Sequence, residues 1–420
     1  MRDALRQLCR DASPSAVLAG VVATLISFAG PLVIVFQAAA ALPAPLLASW
    51  VWAICIGSGV LGIVLSLRYR VPVVIAWSIP GSVLLVGLLP TLDYAVVIGA
   101  YLVASVLLLA IGLSGAFDRI VARLPPAITA AMLAGVLFGF ATKAFVGMAA
   151  QVWLVLAMFA AFFVGRRWFA RYAVVAVLIT GVLVAALCGQ LHGPLPALAL
   201  TTPVWVAPRL EWQAIVSLGL PLLVVALTGQ FMPGMAVLRT SGYARPAARP
   251  LLVWSGVASA LLAPFGCHGL NPGAVTAALC TGPEAHPRAE RRYVAGIAGG
   301  VAYLLLGSVA GSVVALFSTL PRELVATLAG LALFPSIANA LGTALAAPDA
   351  RDAALVTFIV GASGMSLLGL GAAFWSLVFG LAAHLLLTWR RGRVGSVSVG
   401  GRTSSAGEEA MPAMGIEPPR

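Results

Sequence analysis

"WSIPGSV" (77–83) and "CHGLNPGAV" (267–275) decide the fold of this chain. Each stretch places proline beside glycine within a long apolar region, where proline in a helix interior would lose a backbone hydrogen bond. Proline does suit the first turn of a helix, and Asn271 before Pro272 predicts an N-cap followed by the first helical residue. The residues just before Trp77 are mostly β-branched and favour extended backbone. Both stretches therefore predict a short extended strand that leads into a half-helix.

The composition indicates an integral membrane protein. The chain has 420 residues, of which 61% are hydrophobic and 9% are charged, whereas about a quarter of the residues in a soluble domain are charged. A membrane-spanning helix needs roughly 20 apolar residues. The fold class that follows is an all-α polytopic membrane protein with fourteen transmembrane segments, which we place at 15–37, 46–67, 73–89, 95–115, 126–146, 152–165, 172–189, 214–238, 250–265, 270–282, 293–317, 323–342, 353–368 and 371–389.

An internal repeat divides these segments into two halves. "LPPAITAAMLAGVLF" (124–138) matches "LPRELVATLAGLALF" (320–334), and "IPGSV" (79–83) matches "NPGAV" (271–275). A weaker match joins the segments around Gln37 and Gln230, and the paired blocks are 192 to 196 residues apart. Each half holds an odd number of spans, seven, so the second half enters the membrane inverted. An inverted repeat of this kind is typical of secondary transporters.

The repeat also sets the expected domain boundaries. We expect a cytoplasmic N-terminal segment at 1–14, a first repeat at 15–205 (spans 1–7) and a second repeat at 211–389 (spans 8–14). The rest of the chain, 390–420, is rich in Gly, Ser and Pro and is expected to be a disordered cytoplasmic tail.

The distribution of basic residues predicts the orientation of the chain. The formal charge is +12, with 25 Lys and Arg residues. With the N-terminus inside, all of these except Lys143, Arg209 and Arg322 fall on the cytoplasmic side, as the positive-inside rule expects. Both termini should therefore be cytoplasmic, and the charge is an orientation signal that gives no support to a nucleic-acid partner.

Other function classes lack support in the sequence. The five cysteines show neither disulfide nor metal-binding spacing, so no metal and no cofactor is expected. The chain contains no P-loop, no His-Glu-x-x-His and no Gly-x-Ser-x-Gly. We therefore predict a protein that is not an enzyme.

The paired half-helices predict a binding site for an anion. In lipid, irregular backbone is tolerated only where it is buried in protein or lines a cavity. Each half-helix N-terminus offers free N–H groups and about half a positive charge, which suits a carboxylate without a buried Lys or Arg. We expect the carboxylate at the N–H groups near Gly81–Ser82 and near Gly273–Ala274. The alternative is that both prolines merely kink ordinary helices.

Side chains beside the breaks complete the predicted site. Trp77 and Phe231 could stack on a ring substrate, or pack against lipid or core. The amide of Gln230 could bind a ligand or cap the neighbouring backbone, and Gln37 is its repeat partner. The predicted substrate-binding residues are Gln37, Trp77, Ser78, Gly81, Ser82, Gln230, Phe231, His268, Asn271, Gly273 and Ala274.

Two candidates remain for the group that carries a coupling proton. All thirteen acidic residues fall in loops or tails, so no carboxylate relay is visible within the spans. His268 lies at the second break, and histidine can change charge near neutral pH. A weakly acidic substrate could instead carry the proton itself. A hydrogen-bonded structural role for His268 is the competing interpretation.

The sequence resembles a known family in several blocks. These are "IVFQAA" (34–39), "SLRYRVPVVIAWSIPG" (66–81), "RLPPAITAAMLAGVL" (123–137), "GLPLLVVALTGQFMPGMAVLRTSGY" (219–243), "LLAPFGCHGLNPGAVTAALCTGPEAHP" (261–287) and "SGMSLLGLGAAFW" (363–375). Together they resemble the bacterial benzoate–proton symporter (BenE) family, over about 15–390. That family is similar to nucleobase, ascorbate and sulfate transporters.

The resemblance implies a fold and a function. The fold is seven plus seven inverted spans, with a core domain of spans 1–4 and 8–11 and a gate domain of spans 5–7 and 12–14. Substrate would lie between spans 3 and 10, with span 8 alongside. The implied function is proton-coupled uptake of benzoate or a related small aromatic carboxylate by alternating access in the bacterial inner membrane. Relatives often form homodimers, although no residue here decides the oligomeric state.

Two departures from the pattern bear on the substrate. Nucleobase-carrying relatives tend to place a carboxylate on span 8 near the position of Gln230, and its absence favours a carboxylate-bearing substrate. The benzoate family is more apolar before the span-10 break than Cys267-His268 is here. The alternatives are a nucleobase or another anion as substrate, and, in a different class, an anion channel or a non-transporting membrane scaffold.

Overall fold

The computed structural model describes residues 7–8, 10–39, 42–123, 125–142, 145, 147–170, 173–191, 197–243, 247–283, 285–368 and 370–394. The described chain is mostly helical. Its helices are α1 Pro14–Ala38, α2 Ala44–Tyr69, α3 Ile79–Leu88, α4 Tyr94–Ser114, α5 Phe117–Arg123, α6 Pro126–Ala141, α7 Val152–Trp168, α8 Ala173–Leu187, α9 Trp212–Arg239, α10 Ala248–Leu262, α11 Ala274–Thr281, α12 Tyr293–Ser308, α13 Ala310–Ser318, α14 Arg322–Ala346, α15 Arg351–Ala362 and α16 Ala372–Val394.

Four two-residue strands form two antiparallel pairs. Strand β1 (Ile75–Ala76) pairs with β2 (Asn271–Pro272), and β3 (Ser366–Leu367) pairs with β4 (Leu370–Gly371). The first pair joins segments from the two predicted repeats, because one strand precedes α3 and the other precedes α11. Short 3₁₀ turns lie at Leu89–Thr91, Gly147–Ala149, Ala263–Phe265, Ala289–Arg291 and Pro348–Ala350.

Several helices are long and apolar enough to cross a membrane. Within the described residues there are six: α1, α2, α4, α9, α14, and α10 with its following turn to Phe265. A seventh span results if α12 and α13, which meet at an angle of 68°, are counted as one broken span. Shorter apolar helices occupy the other predicted span positions, among them α3, α6 and α8. The protein is therefore a multi-pass membrane protein.

The helices pack in two groups. In the first group, α12 packs against α1 and α2, α10 packs against α4, and α11 packs against α1 and α9. Its interior contains Trp50, Tyr101 and Phe231. In the second group, α6 packs against α14 and α15, α15 against α16, and α7 against α8. Met158 and Leu328 lie in that second interior.

The predicted span 293–317 is bent at Val309, between α12 and α13. Val309 leaves the helical region, with φ −113° and ψ 24°. Thr201, from the segment that precedes α9, bonds on both sides of the bend. Its backbone N–H donates to the Ser308 carbonyl at 2.8 Å, and its hydroxyl oxygen accepts from the Gly311 N–H at 2.8 Å. The break is stable because the backbone N–H and the hydroxyl of an inserted residue replace the lost helical hydrogen bonds.

The segment 197–211, which we call the outer strap, is bonded to the first helix group. The Ala199 N–H donates to the Ser312 hydroxyl at 2.9 Å, and the Val206 N–H donates to the Pro264 carbonyl at 2.8 Å. The Arg209 N–H donates to the Ala95 carbonyl at 2.9 Å. The strap follows α8 of the second group in sequence, yet its hydrogen bonds tie it to the first.

Helix α9 is continuous past Gln230 and Pro233. It contains π-helical turns at Ile215–Gly219 and Leu227–Phe231. Pro233 follows the second of these and has no N–H to donate, so the wider turn lets the helix pass the proline without ending.

The predicted N-cap of the second half-helix is wrong. Asn271 and Pro272 lie in β2, and the N-cap of α11 is Gly273. The reason is the strand pairing: the Gly273 N–H donates to the Val74 carbonyl at 3.0 Å, which carries the extended backbone past the proline. Helix α16 ends at Val394, beyond the predicted boundary at residue 389. The residues that lie outside the described part of the chain include 395–420, Lys143 and Cys9.

Candidate functional site

Both half-helices begin at the β1–β2 pair. Ala76 lies opposite Asn271, and Ile75 lies opposite Pro272. Because the strands are antiparallel, α3 leaves one end of the pair and α11 leaves the other. The N-termini of two short helices therefore face the same small region of buried backbone. At each of the two positions the structure has a two-residue strand followed by a short helix, Ile79–Leu88 after β1 and Ala274–Thr281 after β2.

The N-terminus of α3 is closed by its own cap. Ser78 is the N-cap, and its hydroxyl oxygen accepts from the Gly81 N–H at 3.0 Å. The Ser78 carbonyl accepts from the Ser82 N–H at 2.8 Å and from the Ser82 hydroxyl at 2.9 Å. The N–H groups of Gly81 and Ser82, which were predicted to contact a carboxylate, are therefore engaged with Ser78.

The N-terminus of α11 differs, because its N-cap has no side chain. Gly273 makes no side-chain cap hydrogen bond. The first N–H groups of a helix have no partner within that helix, and here Ala274, Val275 and Thr276 occupy those positions. An N-terminus of this kind carries about half a positive charge and suits an anion. Of the two predicted carboxylate contacts, the one at Gly273–Ala274 is the better supported by the caps.

His268 connects three elements of the first helix group. The Trp50 indole N–H donates to His268 Nδ1 at 3.0 Å. On the other side of the ring, Ser82 Oγ lies 3.1 Å from His268 Nε2. The imidazole is buried and meets the Trp50 ring edge-on, with ring centroids 5.6 Å apart. His268 thus joins α2 and the first turn of α3 to the segment before β2.

A small cavity lies beside the half-helices. Its volume is about 20 Å³, which is room for about one water molecule and too little for a benzene ring. Ser78, His268 and Asn271 reach it from the predicted site, and the apolar side of the cavity is formed by α4 and α9. The Asn271 side-chain oxygen is buried and has no hydrogen-bond partner among the described residues.

Two serines of the cavity were not among the predicted residues. Ser105 on α4 and Ser259 on α10 both line it. The Ser259 hydroxyl accepts from the Leu270 N–H at 2.9 Å, which holds the segment before β2. Neither serine adjoins a helix break, so the only sequence signal was a single hydroxyl within an apolar span. Trp50 was also missed, because it lies within α2 and adjoins no helix break.

Of the predicted residues with described side chains, those that do not line this cavity are Gln37, Trp77, Gly81, Ser82, Gln230, Phe231 and Gly273. Trp77 is 3% exposed and packs against Phe28, with ring centroids 5.4 Å apart. Phe231 is fully buried in the first hydrophobic core. Gln230 is half-buried in the second π-helical turn of α9, which packs against β2, and Gln37 is half-buried near the end of α1.

The chemistry of the site is that of a neutral anion receptor. Its polar groups are backbone N–H groups, hydroxyls, one amide and one imidazole. Among the described residues, no group of three or more His, Cys, Asp or Glu side chains could hold a metal ion. Such an arrangement can bind and orient a small carboxylate.

Sequence comparison links the chain to one family. The profile described as "Benzoate membrane transport protein" matches residues 10–386. The chain is 42% identical over 390 residues to the "Benzoate membrane transport protein" of Acinetobacter baylyi (strain ATCC 33305 / BD413 / ADP1), covering 92% of this chain and 98% of that protein. It is 35% identical over 376 residues to the "Inner membrane protein YdcO" of Escherichia coli (strain K12), covering 89% of this chain and 96% of that protein.

Solved structures of more distant proteins share the fold. SLC26A9 superposes with a TM-score of 0.59 at 13% identity, covering 89% of this chain and 66% of that one. The transmembrane domain of the cyanobacterial bicarbonate transporter BicA superposes with a TM-score of 0.57 at 13% identity, covering 90% of this chain and 97% of that one. At this identity the likeness concerns the fold alone.

Proposed function

The chain belongs to the benzoate membrane transport protein family, and from this premise we propose that it imports benzoate or a related small aromatic carboxylate together with a proton. The family is one of membrane transporters and not of enzymes. The observation that carries the proposal is the pair of half-helices that begin at one buried strand pair, with an uncapped N-terminus at α11.

We place the substrate carboxylate at the N–H groups of Ala274, Val275 and Thr276. The side chains of Ser78 and Asn271 lie at the adjoining cavity and could orient it. Trp77 and Phe231 are our candidates for ring contacts, and Gln230 and Gln37 for polar contacts. Because the cavity holds about one water, binding of an aromatic ring requires that the helices around it separate.

We propose fourteen spans arranged as two inverted repeats, with both termini in the bacterial cytoplasm. Asp11, near the N-terminus, lies 3.3 Å from Arg291 and 3.9 Å from Arg70. These contacts bring the N-terminal segment, the loop after α2 and the loop before α12 to one side of the molecule. Arg209 instead bonds Asp93 at 2.9 Å, together with the outer strap. This separation supports the orientation proposed from the basic residues.

Alternating access would come from motion of one helix group against the other. We propose that the first group, which contains both half-helices, is the core domain and that the second is the gate domain. The α1–α14 contact is one place where the groups meet. A homodimer remains part of the proposal.

Another small anion is the second candidate substrate. The likeness to BicA, a bicarbonate transporter, and to Slc26a9, an anion transporter, favours it at the level of the fold. An uncapped helix N-terminus binds negative charge without selecting a ring. A nucleobase is less well supported, because Gln230 stands on α9 where a carboxylate would be needed.

Uptake by reconstituted protein tests the proposed function. Purified protein in proteoliposomes, with an inward proton gradient, should accumulate radiolabelled benzoate, and a protonophore should abolish the accumulation. Unlabelled aromatic carboxylates should compete, while uracil and bicarbonate should not. Competition by bicarbonate alone would favour the second candidate. Absence of uptake and of counterflow by folded protein would contradict the proposal, and unsaturable conductance would indicate a channel.

A further inference from the structure

We propose that His268 is a positioning residue held in its neutral Nε2–H form by Trp50, and that it fixes the first turn of α3 against the segment before β2. The proposal rests on the proposed function for its transport consequences, and on geometry alone for the state of the ring. Three hydrogen bonds define the arrangement: Trp50 to His268, His268 to Ser82, and Ser82 to the Ser78 carbonyl.

The state of the ring follows from the donors around it. An indole N–H can only donate, so His268 Nδ1 must be the acceptor and carry no proton. A neutral imidazole then carries its proton on Nε2 and donates it to Ser82 Oγ. The Ser82 hydroxyl is free to donate to the Ser78 carbonyl at 2.9 Å. Every donor in this series of hydrogen bonds has one acceptor.

Protonation of the imidazole would break this series of hydrogen bonds. An imidazolium has N–H groups at both nitrogens, so its Nδ1–H would point at the Trp50 N–H. The titratable groups nearby are Tyr101 and Tyr94 on α4, Cys55 on α2, and the adjacent Cys267. Among the described residues no carboxylate faces the ring to stabilise a positive charge. His268 is therefore arranged to stay neutral, which leaves the coupling proton to the substrate acid.

The hydrogen bonds from Trp50 through His268 and Ser82 end at Ser78, which is at the predicted site. Ser78 caps α3 and lines the cavity, and its carbonyl is held by the hydroxyl that His268 orients. Loss of the imidazole would leave the Trp50 N–H and the Ser82 hydroxyl without these partners in a buried place. The first turn of α3 would then keep the β1–β2 pairing but lose its tie to the segment before β2, and substrate affinity would fall.

Nitrogen-15 NMR of histidine-labelled protein in nanodiscs tests the state of the ring without any substrate. The chain has four histidines, and the His268 signals are those lost in His268→Gln. We expect a protonated Nε2 and an unprotonated Nδ1 throughout about pH 5 to pH 8, where histidine ordinarily titrates. In Trp50→Phe, Nδ1 loses its donor, so the Nδ1–H form should appear beside the Nε2–H form while the buried ring stays neutral. Titration in the unaltered protein, or the Nδ1–H form, would overturn the assignment.

Transport by two His268 variants tests the role. His268→Gln keeps a neutral acceptor and donor, so KM should stay within about threefold and uptake should still follow the proton gradient. His268→Ala should raise KM about tenfold with a smaller change in the maximal rate. His286→Gln, in the loop before α12, is the matched control and should leave both unchanged.

Two transport results would overturn the positioning role. The first is an unchanged KM in His268→Ala. The second is a His268→Gln protein that exchanges labelled benzoate but no longer responds to the proton gradient, which would make His268 the proton carrier. If no variant and no unaltered protein transports benzoate, the proposed function fails while the NMR result stands by itself.

Discussion

Ser78 and Gly273 cap equivalent half-helices in different ways, and this difference locates the positive end of the site. Ser78 fills the first turn of α3 with its own hydroxyl and carbonyl. Gly273 supplies no side-chain acceptor to α11. The repeat-related sequences therefore build one N-terminus with a side-chain cap and one without, so we expect the two sides to contribute unequally to the proposed anion binding.

Replacement of Ser78 by alanine should destabilise the protein measurably. An N-cap serine contributes about 1 kcal/mol, because its oxygen satisfies an N–H that the helix cannot. Ser78→Ala leaves the Gly81 N–H without that acceptor, so we expect a lower thermal unfolding temperature in detergent. Ser114→Ala, which removes an exposed hydroxyl bonded within α4, is the control. Equal unfolding temperatures for the two variants would show that the cap is dispensable.

At the scale of single residues, the sequence predicts the site residues that adjoin a helix break. It misses the residues that contact them from other helices. Proline and glycine mark a break locally, so Ser78, His268 and Gly273 could be found. Trp50, Ser105 and Ser259 sit within regular helices, and only the tertiary fold brings them to the break. Asn271 was assigned the cap because its residue type favours that role, but pairing with Ala76 holds it in β2.

At the scale of elements, α9 packs closely against β2. A Cβ added at Gly234 would lie 2.7 Å from the Pro272 Cβ, which is closer than side chains normally approach. Gly234→Ala should therefore push α9 away from β2 and reduce benzoate uptake at least severalfold. Gly87→Ala on α3 meets no atom within 4 Å and should leave uptake intact. Similar uptake by both variants would contradict the packing described.

The outer strap should move with the core domain, since its hydrogen bonds join it to that group. Ala199 and Ser312 are in contact, because the Ala199 backbone N–H donates to the Ser312 hydroxyl at 2.9 Å. The double variant Ala199→Cys and Ser312→Cys therefore puts cysteines at two neighbouring residues. We expect a disulfide between them to form on oxidation and to leave benzoate uptake unchanged relative to each single variant. Uptake that stops on oxidation and returns on reduction would mean that the strap moves relative to the core.

The sequence predicts the helices well where the length of an apolar run alone decides their position. Each predicted span contains a helix, because hydrophobic runs in a membrane protein must pair their backbone internally. The bend at Val309 was missed, since the group that stabilises it, Thr201, lies far away in sequence. The start of α11 was misplaced because it depends on a hydrogen bond to Val74.

At the scale of the whole molecule, the two helix groups resemble what alternating access requires. Both half-helices and the outer strap belong to the first group, and the second group consists of α6, α7, α8, α14, α15 and α16. The repeat in the sequence predicts a symmetric scaffold, and the likeness to SLC26A9 and BicA supports the shared fold. The sequence could not predict the asymmetry within the scaffold, because the hydrogen bonds of His268 and the bond that makes Gly273 the N-cap of α11 join elements that are distant in sequence.

The central claim is that a carboxylate binds at the open N-terminus of α11. Gly273→Asn and Gly273→Asp form a matched pair, because both side chains cap helices well and have the same size, while only aspartate is charged. The backbone angles of Gly273, φ −84° and ψ 102°, suit either residue. A Cβ at this position would lie 2.6 Å from Thr276 Oγ1, so the Thr276 side chain must rotate, and it must do so equally in both variants.

Equilibrium binding of radiolabelled benzoate to the purified variants is the most direct measurement. We predict that Gly273→Asp loses binding at least about tenfold more than Gly273→Asn does, since aspartate places a negative charge where the carboxylate would bind. Both proteins should unfold at similar temperatures. Equal affinities for benzoate in the two variants would contradict the account.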